Sequence, residues 1–124
     1  MTHANGRIPL DLLVHLGGDH YLMPGTAIRW AGFVADVKAE TDVTLRITPG
    51  PNGYRWYAAQ VEEKRKACAR GRCGDAADPG DSSHGGAWRG TETCAIDVTN
   101  WASIPWATFE RLAEKWGFIV LFFP

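Results

Sequence analysis

The chain has 124 residues, 45% of them hydrophobic and 22% charged, with a formal net charge of −1 and a pI near 6.4. This length suits one compact domain and is too short for two. Proteins that bind nucleic acid usually carry a basic excess, so we expect no nucleic-acid partner. No apolar run is long enough to span a membrane, and residues 1–7 do not resemble a signal peptide. We therefore expect a monomer that is made in the cytoplasm.

The first half of the chain predicts a helix, a strand, a turn and a second helix. Thr26 can cap a helix that runs to about residue 40, because apolar residues recur there at helical spacing. Residues 43–47 alternate and contain β-branched side chains, which predicts a strand. Residues 49–53 contain proline and glycine and predict a turn, and residues 55–69 predict the second helix.

The second half begins with a long segment, Arg70 to Gly90, whose Gly, Asp and Ser content predicts an irregular loop. Residues 94–98 then predict a short apolar strand. Ser103 can cap a third helix that ends at Trp116, where Gly117 is placed to terminate it. Residues 118–123 predict a final buried strand. The predicted class is α+β: one domain with about three helices packed on a small, mostly antiparallel sheet.

The three cysteines leave two redox states open. Cys68 and Cys73 flank a short loop and could form a disulfide, which would leave Cys94 free. For a protein made in the cytoplasm, reduced thiols are the favoured expectation.

One pair of residues in and after the long loop suggests chemistry. His84 lies in the loop, and Asp97 lies among the apolar residues of the predicted strand. An ionised carboxylate in apolar surroundings needs a compensating partner. A Zn²⁺ ion shared with His84 would be one, because imidazole nitrogen and carboxylate oxygen both bind zinc. A turn hydrogen bond or an arginine partner for Asp97 is the purely structural alternative.

The residues around this pair resemble a known family. Ser82-x-His84 followed by Ala95-x-Asp97 resembles the Ser-x-His-x-x-Gly-x-Ala-x-Asp signature of the D-alanyl-D-alanine carboxypeptidase family. That family includes the VanY-type carboxypeptidases and the L-alanyl-D-glutamate peptidases of phage endolysins. Further segments are similar to family patterns, and together they cover nearly the whole chain: Asn5 to Pro9, Gly53-Tyr54-Arg55 with Gln60, Asn100-Trp101, and Lys115 to Phe118.

The resemblance implies a Hedgehog/DD-peptidase-like fold and a zinc-dependent peptidase whose partner is the peptidoglycan stem peptide. By it, His84 and Asp97 are two of three zinc ligands. Arg55 would bind the substrate carbonyl or carboxylate and stabilise the developing oxyanion, as a guanidinium can. We expect such a phage lysin, released through holin pores, to act at the bacterial cell wall. The residues expected on the substrate-binding side are Arg55, Gln60, Ser82 and Trp101, with Ser82 ordering the loop of His84 by hydrogen bonding.

The sequence departs from the family pattern in two places. The step from His84 to Asp97 is longer than in the family, which indicates an insertion over residues 88–93 in a surface hairpin. The family's Glu-x-Trp-His motif, which carries the general base and the third ligand, has no match before Pro124. We therefore expect that the chain is truncated just before this motif, binds Zn²⁺ weakly and hydrolyses peptidoglycan poorly. Possible replacement ligands within the chain are His15, His20, Glu92 and Cys94.

Three alternatives remain open on the residues. A Ser–His–Asp hydrolase is disfavoured, because no Gly-x-Ser-x-Gly elbow exists and Ser82 is too close to His84 along the chain. A non-catalytic cell-wall-binding domain of the same fold would use Trp88 and Trp101 to line a groove. A structural zinc site would use a Cys₃His set of ligands: Cys68, Cys73, His84 and Cys94.

Overall fold

The computed structural model describes residues 3–120. Within them, the regular elements are β1 (Val14–Gly17), β2 (His20–Leu22), α1 (Pro24–Thr41), α2 (Tyr57–Ala69) and α3 (Trp106–Lys115). Short 3₁₀ turns lie at Leu10–Leu12, Cys73–Asp75 and Trp101–Ser103. For the described residues, an antiparallel two-stranded sheet with these helices confirms the α+β class. In the same part of the chain, no helix is long and apolar enough to cross a membrane.

The sheet is a hairpin that the sequence did not lead us to predict. Val14 of β1 lies opposite Leu22 of β2, and a bulge follows His15 in the pairing. The connection contains Gly17 and Gly18, both at positive φ, where glycine is not strained. Two adjacent glycines between short apolar alternations are a hairpin signal, so the sequence did contain a clue to this element.

The predicted strands at 43–47 and 94–98 are not strands. The two segments do lie side by side, but they form only one isolated antiparallel bridge, between Ile47 and Val98. Next to that bridge, the Asp97 N–H donates to a carbonyl of the preceding turn rather than to a ladder partner. Residues 94–98 therefore follow an irregular path, and that path sets the direction of the Asp97 side chain.

Helix α1 agrees closely with the predicted span, but its first residue was predicted wrongly. It begins at Pro24, whose fixed φ and missing N–H suit the first helical position. Thr26 therefore lies inside the first turn rather than at the cap, and it is buried. The helix ends at Thr41, where Asp42 adopts the left-handed conformation with a φ of 63°.

Helix α3 was also predicted to begin too early. Ser103 lies in a 3₁₀ turn, and the residue before the helix is Pro105, so no side chain caps the N-terminus. The C-terminal prediction is confirmed: Gly117 has a φ of 81°. Its N–H and that of Phe118 bond back to the last turn, with the Phe118 N–H donating to Ala113 O at 2.9 Å. This is the arrangement of a Schellman motif.

Helices α1 and α3 pack against each other and form the main core. The rings of Phe33 and Phe109 meet edge to face with centroids 5.3 Å apart. Gly32 lies directly under the ring of Trp116, whose Nε1–H donates to Asp36 Oδ2 at 2.8 Å. The buried residues around this contact come from both helices, the hairpin and the loops: Ile8, Leu22, Trp30, Val37, Leu45, Ile47, Tyr54, Cys94, Ile104 and Leu112.

The end of the chain tests one prediction only in part. Residues 118–120 form no strand. The rest of the predicted strand at 118–123 lies outside the described residues.

Helix α2 ends in a disulfide. Cys68 and Cys73 are bonded, contrary to the expectation of reduced thiols, and Cys94 is free and buried. Lys64 Nζ reinforces the same loop by donating to the carbonyls of Cys73 and Ala76 at 2.8 and 2.9 Å. From this disulfide to residue 101, the chain has no α-helix or strand, which confirms the predicted irregular loop.

Candidate metal centre

The loop that carries His84 is held by short-range hydrogen bonds. Ser82 Oγ accepts from the His84 N–H at 3.1 Å, and Ser82 O accepts from the Gly85 N–H at 2.9 Å. On the other side, the Arg55 N–H donates to His84 O at 2.8 Å. The backbone of His84 is therefore tied directly to the residue that begins the approach to α2.

The imidazole of His84 is buried and has two close polar neighbours. Its Nδ1 lies 2.9 Å from Gly53 O, and its Nε2 lies 3.5 Å from Asp97 Oδ1. A carbonyl oxygen can only accept, so Nδ1 carries a proton. In the neutral ring, Nε2 then presents a lone pair to a carboxylate oxygen, and two acceptors face each other. A second proton on the ring or a cation between the two atoms removes this conflict.

Asp97 is held by a backbone hydrogen bond, and its carboxylate forms an ion pair with Arg55. Its N–H donates to Asn52 O at 2.9 Å, and its Oδ2 lies 3.5 Å from Arg55 Nη2. Burial by itself raises the pKa of the Asp97 carboxyl. The hydrogen bond and charge of His84, followed by those of Arg55, outweigh that effect and leave the pKa below its usual value.

The surroundings of Asp97 differ from those expected. The expectation was an apolar strand, but the side chain is 51% exposed and lies on an irregular segment. Its environment is therefore less costly for a charge than the sequence suggested. Its exposed half is open to a ligand.

Arg55 is nearly buried and is held by the turn that precedes it. Its Nε donates to Pro51 O at 3.0 Å and its Nη2 donates to Asn52 Oδ1 at 2.7 Å. The side chain is only 13% exposed. Two guanidinium nitrogens are thus engaged by the protein, and Arg55 reaches the site through Asp97. The arginine partner of Asp97 that was left open as a structural alternative is therefore present.

A cavity of about 460 Å³ opens beside the pair. His84 and Asp97 form part of its wall and Trp101 also lines it, while the substrate-side role expected for Trp101 stays a prediction. The other walls are mainly apolar and come from α1, α3 and the segment after α3: Trp30, Phe33, Trp106, Phe109, Ala113, Phe118, Ile119 and Val120. Neither Arg55, Gln60 nor Ser82 is part of this lining.

Gln60 and Ser82 are buried rather than presented to a ligand. Gln60 is 2% exposed, and its amide Nε2 donates to Asn5 Oδ1 and to Arg55 O, while Oε1 accepts from the Gly80 N–H. Ser82 is 5% exposed and bonds to the backbone of its own loop. The structure places both side chains in the scaffold behind the site, which is the ordering role expected for Ser82.

The possible third ligands do not join the pair. Among the described residues, no group of three or more His, Cys, Asp or Glu side chains could hold a metal ion. His15 contacts Gly18 O and His20 contacts Thr48 O, and neither histidine forms such a group with His84 and Asp97. Burial raises the pKa of the Cys94 thiol to about 11, and Glu92 is exposed on the loop.

Two further expectations are corrected by the loop. The Cys₃His site cannot form in this state, because Cys68 and Cys73 are bonded to each other. Residues 88–93, which were expected to be an insertion in a surface hairpin, form an exposed turn closed by the Thr91 N–H on Trp88 O at 3.0 Å, with no flanking strands. Trp88 does not line the cavity.

Three supporting groups were not predicted from the sequence. The Gly53 carbonyl fixes the His84 ring, Asn52 bonds Arg55 through its side chain and Asp97 through its backbone, and Asn5 reaches the His84 loop from the N-terminus. A turn glycine and asparagines leave little individual signal, although Asn5 and Gly53 both lie in segments that resemble the carboxypeptidase family. Comparison with protein-family models, curated proteins and solved structures found no match.

Proposed function

We propose that this chain is a peptidase domain of the D-alanyl-D-alanine carboxypeptidase type, with a Hedgehog/DD-peptidase-like fold, in which His84 and Asp97 bind Zn²⁺ and the substrate is a peptidoglycan stem peptide. The observation that carries the proposal is the pairing of two metal-binding atoms, His84 Nε2 and Asp97 Oδ1, which face each other 3.5 Å apart and which a shared cation would bridge. His84 Nδ1 is occupied by a carbonyl, so Nε2 is left to bind a cation together with Asp97 Oδ1.

The distance between the two atoms is compatible with zinc. Zinc takes nitrogen and oxygen ligands at about 2.0–2.1 Å in tetrahedral geometry, so two ligand atoms stand about 3.3 Å apart. The observed separation of Nε2 from Oδ1 is 3.5 Å. Metal-bound histidines usually donate their other ring N–H to a carbonyl or carboxylate, as His84 does to Gly53 O.

The remaining residues divide into those that position the two proposed ligands and those that could contact a substrate. Zinc, when bound, supplies a Lewis acid that polarises a peptide carbonyl. Together with His84, Arg55 holds the Asp97 carboxylate ionised, and it acts on the site through that carboxylate rather than from the cavity wall. The volume of the cavity is within the range of small-ligand sites, and the indole ring of Trp101 forms part of its wall.

The disulfide supports a site of action outside the cytoplasm. Disulfides persist in oxidising surroundings and are rare in the reducing cytosol. The bond between Cys68 and Cys73 therefore agrees with a lysin that works at the cell wall.

Zinc binding and turnover test the proposal separately. Titration calorimetry of the metal-free chain should detect one weakly bound Zn²⁺, because only two protein ligands meet among the described residues. Asp97→Ala should weaken binding by more than about tenfold, since even outer-shell changes cost 10–100-fold. His15→Ala is the matched control, because that histidine lies on the exposed hairpin. Equal loss in both variants would indicate adventitious binding and refute the site.

Incubation with purified cell walls measures the activity itself. We expect slow, zinc-dependent release of amines. Rapid turnover would contradict the two-ligand account and would require a third ligand that the described residues do not provide.

A non-catalytic wall-binding domain is the second candidate. It is favoured by the cavity, in which Trp101 and Trp106 stand beside a two-ligand site. Sedimentation with insoluble peptidoglycan, with and without a chelator, separates the two functions. Chelator-insensitive binding without amine release would favour the binding domain.

A further inference from the structure

The N-terminal segment reaches across the molecule to the loop of His84. Asn5 is buried, and its side-chain Nδ2 donates to Ser82 O at 2.8 Å and to Ala87 O at 3.2 Å. These two carbonyls lie on either side of His84 in the sequence. One amide group therefore closes the loop from both ends.

The neighbouring glycine adds a backbone clamp. The Gly6 N–H donates to Gly85 O at 2.9 Å, and Gly6 O accepts from the Tyr57 N–H at 2.8 Å at the start of α2. Gly85 is packed so closely that a Cβ there would overlap the Asn5 amide. Gly6 has a φ of 77°, which only glycine adopts easily.

Asn5 is also linked to Arg55. Its Oδ1 accepts from Gln60 Nε2 at 3.1 Å, and the same Nε2 donates to Arg55 O at 2.9 Å. Asn5 thus uses its donor and acceptor groups to join the His84 loop to the segment that carries the arginine.

We propose that Asn5 is a positioning residue that fixes the His84 loop against the Arg55 segment, so that His84 Nε2 and Asp97 remain within reach of one metal ion. The inference rests on the proposed function for its purpose, but its structural content does not depend on zinc. The clamp is local, because each of its bonds ends on the 82–87 loop or on the start of α2.

Asn5→Asp is the sharpest perturbation. It keeps the shape and the acceptor for Gln60 but replaces both donated hydrogen bonds with a carboxylate facing two carbonyls. Asn5→Ala removes both donated bonds and the acceptor for Gln60 without burying a charge, and it replaces the aspartate variant if that variant does not fold. Asn100→Asp is the matched control, because Asn100 also bridges two backbone groups, Arg46 N–H and Thr44 O, but in another part of the chain.

Amide hydrogen exchange of the metal-free proteins distinguishes a local loosening of the His84 loop from a loss of overall stability. We expect the N–H groups of His84 and Gly85 to exchange at least about tenfold faster in the Asn5 variants, while that of Val37 in the α1 core is unchanged. The ¹⁵N signals of the His84 ring should also lose the signature of an Nδ1–H bonded to a carbonyl. Asn100→Asp should alter neither.

Three outcomes are decisive. Uniformly faster exchange that includes Val37 would overturn the proposal, because Asn5 would then support only overall stability. Unchanged loop exchange and ring signals would overturn it as well. Zinc affinity is measured in parallel: we expect it to fall about tenfold in Asn5→Ala. If the wild-type chain binds no zinc, the proposed function fails, and the exchange data still decide the role of Asn5.

Discussion

Asp97→Asn tests how much the charge of this carboxylate stabilises the folded protein. The carboxylate lies 3.5 Å from both Arg55 Nη2 and His84 Nε2. At that distance, one unit pair interacts by about 1.2 kcal/mol in water and about 4.7 kcal/mol at an effective dielectric constant near 20. Since the Asp97 side chain is 51% exposed, screening and desolvation reduce the net contribution to about 1 kcal/mol.

The sign of the pH dependence follows from the direction of the pKa shift. The pKa of Asp97 is lower in the folded protein than the usual aspartate value of 3.8. The carboxylate therefore stabilises the fold at pH values above the unfolded-state pKa, and this contribution is lost as the pH falls through the folded-state pKa. We expect Asp97→Asn to be about 1 kcal/mol less stable than wild type at pH 7. The difference should narrow below about pH 4.

Urea denaturation in the presence of a chelator measures this difference without metal. Asp42→Asn is the control, because Asp42 pairs with Lys38 at 3.0 Å but its side chain is 94% exposed. That variant should leave the free energy of unfolding nearly unchanged. If the Asp97→Asn deficit stayed constant from pH 7 to pH 3, its origin would be packing or hydrogen bonding, and the electrostatic account would be refuted.

Three further predictions concern stability and reactivity. Gly32→Ala should lower the free energy of unfolding by about 1–3 kcal/mol, because the added Cβ would overlap the Trp116 ring. The cost of this overlap should exceed the gain in helix propensity. Urea unfolding measures the difference, and a stabilised variant would contradict the prediction. Reduction of the Cys68–Cys73 bond, which spans a sequence separation of 5, should cost about 2 kcal/mol, and a melting temperature unaffected by reductant would argue against the disulfide. Cys94, whose pKa is raised to about 11 by burial, should resist alkylation at pH 8 until urea is added, as mass spectrometry can follow.

The local parts of the fold were predictable from the sequence. The C-terminal end of α1 was predicted to within one residue, and the terminating role of Gly117 was predicted correctly. Errors at the helix starts arose where a proline set the first residue, at Pro24 and after Pro105. Helix periodicity and glycine termination depend on residues close together in the chain, so a single sequence contains the necessary information.

The strands were predicted less well because a strand depends on a pairing partner that can lie far away in the chain. Residues 43–47 have the alternation of a strand, but a ladder requires a partner with matching backbone direction over several residues. Residues 94–98 provide only the bridge at Val98, because the Asp97 N–H is used by Asn52 O. The hairpin was overlooked because its two strands are only four and three residues long.

By itself, the sequence determined which side chains are candidates for the proposed site: a histidine, a carboxylate and an arginine placed before a helix. Only the tertiary structure decided how they meet. It brings His84 Nε2 to 3.5 Å from Asp97, places Arg55 behind the carboxylate, and turns Gln60 into the scaffold. It also recruits Asn5, which is 77 positions away from Ser82 in the chain. Such contacts depend on hydrogen bonds between distant segments, and their partners become defined only when the chain has folded.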